Sequence, residues 1–359
     1  MKKTICIFSS LTIIGVVMTG FGLSALNSQI QSKPFRMERT LEGIKNINID
    51  ASSNYGALLE IVETTGSPKI KFEGDMYGLN FNYFKESDIF DITITGDTAF
   101  IDVKPNAYIQ YGNFISDIIK TPSDMCNSKV ILEIPKTGLD KLQGSAFAIN
   151  ININELNINI LDLTSINEIT FAGEGEIANL NLHSFKNNAG YIDFTNNIAR
   201  NVNVSGKGYL HLDGAYKNVE ISYGSYSEIS VNSTEPYNTD INCGYESEVN
   251  VYGKVNIVDI QDAQEVLIMP STTPTLINID SDPSTVNIIF PEDIEGFEAV
   301  FTSYTPELNF NFVTTFDTSY NSVEDNIHSN LYVNKISYGN KKTKIDLSNI
   351  EDLKILRGE

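Results

Sequence analysis

Between residues 155 and 268 one short phrase recurs, and its period constrains the fold more than any other feature of the chain. Asn179-Leu180-Asn181-Leu182, Asn201-Val202-Asn203-Val204, Asn218-Val219-Glu220-Ile221 and Asn238-Thr239-Asp240-Ile241 begin 22, 17 and 20 residues apart. Between them lies a second series: Ile192-Asp193-Phe194, Leu210-His211-Leu212, Ile229-Ser230-Val231, Val249-Asn250-Val251 and Val266-Leu267-Ile268. Each round of roughly 20 residues thus supplies two short strands and two turns, the period of a stacked repeat.

Successive side chains of a strand point to opposite faces. The alternation therefore predicts Leu180, Leu182, Val202, Val204, Val219, Ile221 and Ile241 inward and the polar residues between them outward. One round has too few apolar residues to enclose a core and must stack on its neighbours. The expectation is an all-β fold with a β-solenoid of about 20 residues per coil, Gly190, Gly206, Gly214 and Gly253 falling in its turns. An antiparallel sandwich or meander also suits strands spaced near ten residues. The polar opening residue favours the solenoid, because it marks alternate strands only.

The apolar content of 41% suffices for a core, and a net charge of −21 repels phosphate backbones, so no nucleic-acid partner is expected. Of three cysteines, Cys6 lies in the N-terminal apolar segment, leaving Cys126 and Cys243 as the only possible pair in the body. Two unpaired buried thiols are the expectation, although a disulfide is allowed outside the cell. Neither cysteine belongs to a CxxC, and His183, His211 and His328 show no ligand spacing, so no metal or cofactor is expected.

Lys2 and Lys3 precede an apolar stretch from Ile5 to Leu26, 22 residues and long enough to span a bilayer. The basic front predicts a cytoplasmic N-terminus and an exported body. Residues 1–32 read as an uncleaved membrane anchor or a cleaved signal, with Gly22-Leu23-Ser24 a passable cleavage site. Less regular β runs over 38–150 would open the solenoid, regular coils fill 151–290, and strands over 291–359 close it. The long polar loop from Pro105 to Asn127 is placed to cover one open end, which would otherwise invite edge pairing.

The opening Ile44 to Ile49 strand, the Val130-Ile131-Leu132-Glu133-Ile134-Pro135 strand followed by Gly138, Leu139 and Leu142, the Asn-led coils and the closing Lys344 to Leu356 strands together resemble the bacterial DUF4097 family of β-strand-repeat proteins, related to adhesin head (GIN) domains. The resemblance covers roughly residues 40 to 357 and rests on pattern. Asn or Ser stands where many coils of the family carry Ser-Gly turns, and the 105–127 insertion is long. The resemblance implies a right-handed β-solenoid on the outer side of a membrane, linked to envelope maintenance or stress responses. It implies no catalytic residue.

Several constellations bear on chemistry. Asn159, Asn181, Asn203, Glu220 and Asp240 share the outward position of the first series, where amides would form a ladder and Glu220 beside Asp240 would repel unless a cation intervened. Two carboxylates fall short of a calcium site. Asp193, His211 and Ser230 share the outward position of the second series, but an open sheet face offers no oxyanion donor. Asp193, Asp213 and Lys207 suit a polysaccharide-lyase site only by analogy of fold. Tyr191, Tyr209, Tyr226 and Tyr245 recur as a potential platform for sugars or partner chains, yet their offsets from the following strand differ, which predicts packing over the turns.

The expected function is that of an exported, membrane-tethered, non-enzymatic protein on the extracytoplasmic face of the bacterial membrane. It would present an extended surface to cell-envelope polymers or membrane and surface proteins. An extracellular carbohydrate-active enzyme and an envelope-stress regulator are the alternatives. No catalytic, cofactor-binding or metal residue is assigned.

Overall fold

The structure is a computed structural model that describes residues 31–52, 58–78, 90–104, 129–136, 139–184, 190–303, 307–311, 315–318 and 332–358. The apolar N-terminal segment, Cys6, Cys126, His328 and the 105–127 loop lie outside the described residues. Among the described residues the fold is all-β: nineteen strands join one sheet.

The repeat pairs in parallel. Gly190–Gly206 lies between Leu139–Ser184 and Gly208–Tyr223, and Glu228–Asn242, Glu248–Gln261 and Leu276–Phe290 follow in order. Thr343–Arg357 then pairs parallel to Leu276–Phe290. Neighbouring rounds are not hairpins in this region. Leu139–Ser184 crosses residue 150 without a break and also pairs with Asn46–Asp50 and Leu58–Thr64.

In-register pairing turns the alternation into continuous inner columns. Ile192, Leu210, Ile229, Val249, Val266, Val286 and Leu353 form one, and Val204, Ile221, Ile241, Ile260, Ile279 and Leu347 another. All are buried, as are all seven residues that the alternation turned inward. Each such side chain contributes roughly 1.5–3 kcal/mol of transfer free energy. The column through Val202, Val219 and Val258 takes in Thr239, whose buried hydroxyl has no partner.

Turns between the strands of a round bury polar groups that are paired off locally. Ser227 Oγ donates to the Gly224 carbonyl at 2.7 Å and accepts the Gly208 amide at 3.0 Å, while the Ser227 amide donates to Ser247 Oγ at 3.3 Å. Tyr216 and Tyr237 are fully buried, and the Tyr237 hydroxyl donates to the Tyr252 carbonyl at 2.9 Å. Gly253 holds φ +82°, and a Cβ there would stand 2.1 Å from the Ser233 carbonyl oxygen, so this turn requires glycine.

Both ends of the parallel region change direction. At one end Phe90–Thr95 runs antiparallel to Thr98–Val103, Lys69–Gly78 to Lys129–Pro135, and Gln31–Thr40 to Lys69–Gly78. At the other, Tyr332–Gly339 runs antiparallel to Gly296–Ser303 and to Thr315–Thr318.

Candidate functional site

The outward positions stack in the same register as the inner ones. A hydrogen-bonded amide ladder exists, but not at Asn159, Asn181 and Asn203 where it was expected. It runs two positions earlier, through the residue that opens each strand. Asn201 Nδ2 donates to Asn179 Oδ1 at 2.9 Å, Asn218 Nδ2 to Asn201 Oδ1 at 3.0 Å, and Asn256 Nδ2 to Asn238 Oδ1 at 3.1 Å. Asn218 faces Asn238 in register, and Thr275 Oγ1 donates to Asn256 Oδ1 at 3.1 Å. An amide both donates and accepts, so identical residues at strand spacing satisfy each other. Position 220 had already changed to Glu, which breaks the expected column; the opening residue stays Asn from 179 to 256 and becomes Thr at 275.

The column through Asn181 and Asn203 continues into Glu220, Asp240 and Asp259. Partial desolvation and the carboxylates of Asp259 and Glu220 push the Asp240 carboxyl above its ordinary range. Asn278 Nδ2 donates to Asp259 Oδ1 at 3.0 Å and ends the run. Among the described residues no group of three or more His, Cys, Asp or Glu is arranged to hold a metal ion. Cys243 is buried, its thiol donates to the Gln261 carbonyl at 3.3 Å, and burial pushes its pKa up to about 12, which makes it inert.

The register puts His211 between Asp193 and Ser230, as the sequence implies. Two of their polar atoms meet tyrosine hydroxyls rather than each other. His211 Nδ1 lies 3.4 Å from the Tyr209 hydroxyl, and the Tyr191 hydroxyl donates to Asp193 Oδ2 at 3.3 Å. Asp193 Oδ1 is buried without a partner. Asp213 accepts from Asn232 Nδ2 at 3.0 Å, and Lys207 reaches over an aromatic ring, so Asp193, Asp213 and Lys207 do not converge as a lyase site would need.

A different Asp, His and Ser do meet. His183 Nδ1 lies 2.8 Å from Ser205 Oγ, and its Nε2 lies 3.8 Å from Asp162 Oδ1. The separations of 21 and 22 residues equal one round, so aligning the rounds would have revealed the trio. It sits on an open face, with Asp162 and His183 in Leu139–Ser184 and Ser205 in Gly190–Gly206. Two adjoining clefts of about 540 and 570 Å³ run along the turns near Glu176 and Ile198, and none of the three residues lines either. A nucleophile needs oxyanion donors and an enclosed position for substrate, so the trio is best described as a ladder contact.

The tyrosines fall into two groups, as their offsets of one residue for Tyr191 and Tyr209 and of three and four for Tyr226 and Tyr245 separate them. Tyr191 pairs with Tyr209, and their rings stack with centroids 4.8 Å apart and planes 7° from parallel. Partial desolvation, then the Asp193 carboxylate, raises both phenol pKa values. Tyr226 and Tyr245 form a second pair at the turn tips, where the Tyr226 amide donates to the Tyr245 carbonyl at 2.9 Å. Lys207 Nζ stands 5.6 Å from the Tyr226 ring centroid, a cation–π contact. The offsets differ because Tyr226 and Tyr245 belong to the turn and the other two to the strand. Tyr226 takes φ 60°, a left-handed conformation that costs a bulky residue about 1 kcal/mol or more.

No family model matches the sequence, so the resemblance to the DUF4097 family has no such support. No curated protein matches it either. Similar solved structures include a "putative adhesin" of Parabacteroides merdae, 13% identical over 71% of this chain and 96% of that one, with a TM-score of 0.47. A "putative adhesin" of Bacteroides fragilis is 14% identical over 72% and 96%, with a TM-score of 0.40. A "putative lipid binding protein" of Parabacteroides distasonis is 12% identical over 91% and 97%, also at 0.40. With TM-scores below 0.5, these likenesses carry no argument about this chain.

Proposed function

We propose that this chain is an exported, membrane-tethered, non-enzymatic protein of the DUF4097 type, whose body is a right-handed β-solenoid presenting an extended surface to cell-envelope polymers or surface proteins. Residues 1–32 would anchor or export it, 38–150 open the solenoid, 151–290 form its regular coils and 291–359 close it. The observation that carries the reading is the in-register parallel stack. It holds amides over several rounds, carboxylates over three and a tyrosine pair over two in outward columns, an extended surface suited to an extended partner. The charge of −21 argues against a nucleic acid as that partner.

Protease added to intact cells tests the location. Cleavage of the body, with the protein in the membrane fraction, is the expected result. N-terminal sequencing then distinguishes the anchor from a cleaved signal, which would leave a chain beginning near Ala25. A body protected until the cells are lysed removes the envelope role.

A further inference from the structure

We propose that the corner of the stack carrying Tyr191, Tyr209, Tyr226 and Tyr245 is a glycan-binding edge that takes a chain of neutral or amino-bearing pyranose units. This deepens the surface-presentation reading and rests on it.

The four residues occupy one edge. Tyr226 precedes Glu228 by two positions, Glu228 stacks on Tyr209, and Tyr209 stacks on Tyr191. Lys207, two positions before Tyr209, reaches over the Tyr226 ring. Three of the side chains are open to solvent: Tyr191 at 40%, Tyr226 at 62% and Tyr245 at 60%.

Burial does not account for Tyr226, which is 62% exposed. The corresponding place in the next turn, just before Ser247 and Glu248, holds Glu246 at φ 56°. Glycine or asparagine would adopt this conformation with less strain. The left-handed conformation thus belongs to the turn, and what Tyr226 adds to it is a ring that is 62% exposed and touched by Lys207.

The surroundings select the ligand class. Glu168, Glu228 and Glu248 share the strand column of Tyr191 and Tyr209, and Glu246 adjoins Tyr245 in the turn. Carboxylates in this number, with Lys207 beside them, repel polyanions such as uronic-acid or phosphate polymers. A pyranose ring has a C–H face that packs on a phenol ring and a hydroxyl rim that donates to carboxylates. Strand spacing of about 4.8 Å is also close to the rise of one sugar in an extended chain. A protein hot spot would need a contiguous, desolvated apolar centre, whereas carboxylates are interspersed with these rings.

The test uses the full chain purified in detergent. Binding is measured to immobilised hexamers of glucose, N-acetylglucosamine, glucosamine and galacturonic acid. Binding is expected to at least one of the first three and not to galacturonate, with a loss of tenfold or more in the Tyr226→Gly, Tyr245→Ala double variant. Tyr226→Gly alone should leave the melting temperature unchanged or raise it. Three results would each overturn the proposal: no binding to any hexamer, a preference for galacturonate, or equal binding by the double variant. A fall of several degrees in the melting temperature of Tyr226→Gly would also overturn it, by giving that ring a structural role. If the body is protease-accessible on intact cells when such a result appears, only the glycan edge fails, and the surface reading stands with a protein partner.

Discussion

The middle of the molecule and its two ends solve the same problem with different chemistry. From residue 168 to 290, strands stack in parallel, and most side-chain contacts between rounds involve an Asn amide, as in Asn179, Asn201 and Asn218. Toward the ends, where antiparallel pairings join the parallel ones, ion pairs appear. Lys71 pairs with Glu133, Lys129 with Glu60, and Arg36 with Glu73 at one end; Lys335 and Lys341 pair with Glu298, and Lys342 with Glu295, at the other. A repeat stacked by translation cannot place a charge over its opposite unless the repeat itself changes, so only groups that both donate and accept can recur. Glu220, Asp240 and Asp259 show the cost of departing from that rule, since Asp240 titrates above its ordinary range. Ends with unlike sequence are free of this limit, and their charges also discourage further strands from adding.

The comparison is tested most strongly at the inner face. Val204→Asp would bury an unpaired charge in a column running through five further rounds, and should cost about 3 kcal/mol or more, whereas Asn203→Asp should stay within about 0.5 kcal/mol. Urea denaturation of both variants checks this, and equal losses would break the assignment of faces. Next in size, Lys71→Ala should cost about 1–3 kcal/mol, because Lys71 and Glu133 are only 14% and 18% exposed and Glu133 would lose its partner. Asn218→Ala, in the middle, should cost about 0.5–1.5 kcal/mol by the same measurement. An Asn218 effect exceeding that of Lys71 would reverse the assignment of amides to the middle and charges to the ends.

The smallest expected effect is at Asp240. A carboxyl whose folded pKa is raised binds its proton more readily in the folded state. Its favourable contribution is therefore present below the unfolded value near 3.8 and lost as pH rises through the raised value. Asp240→Asn should then stabilise the protein at pH 7 by a few tenths of a kcal/mol, since solvent screens an exposed column. The gain should vanish by pH 3. A gain that persists in acid would mean that Asp259 and Glu220 are not its cause.

Much of the candidate surface could be read from the chain, although not its contacts. The outward placement of Asp193, His211 and Ser230 follows from alternation alone. Their hydrogen bonds do not, because the Tyr191 and Tyr209 hydroxyls reach in from two residues away. Asp162, His183 and Ser205 were visible as a one-round spacing, but they sit outside the phrases that first mark the repeat. The strain at Tyr226 has no sequence signature, since an ordinary turn there would have suited the same residues.

The sequence by itself determined the length of a round and which side chains face inward, because alternation is a local property of an extended chain and needs no partner strand. Only the tertiary structure decided which residue meets which across rounds. Rounds vary from 17 to 22 residues, and the turns absorb the difference through bulges such as those between Asp213 and Gly214 and between Ser233 and Tyr237. Register is therefore set by turn geometry and packing together, and with it the amide ladder, the carboxylate column and the stacked tyrosines.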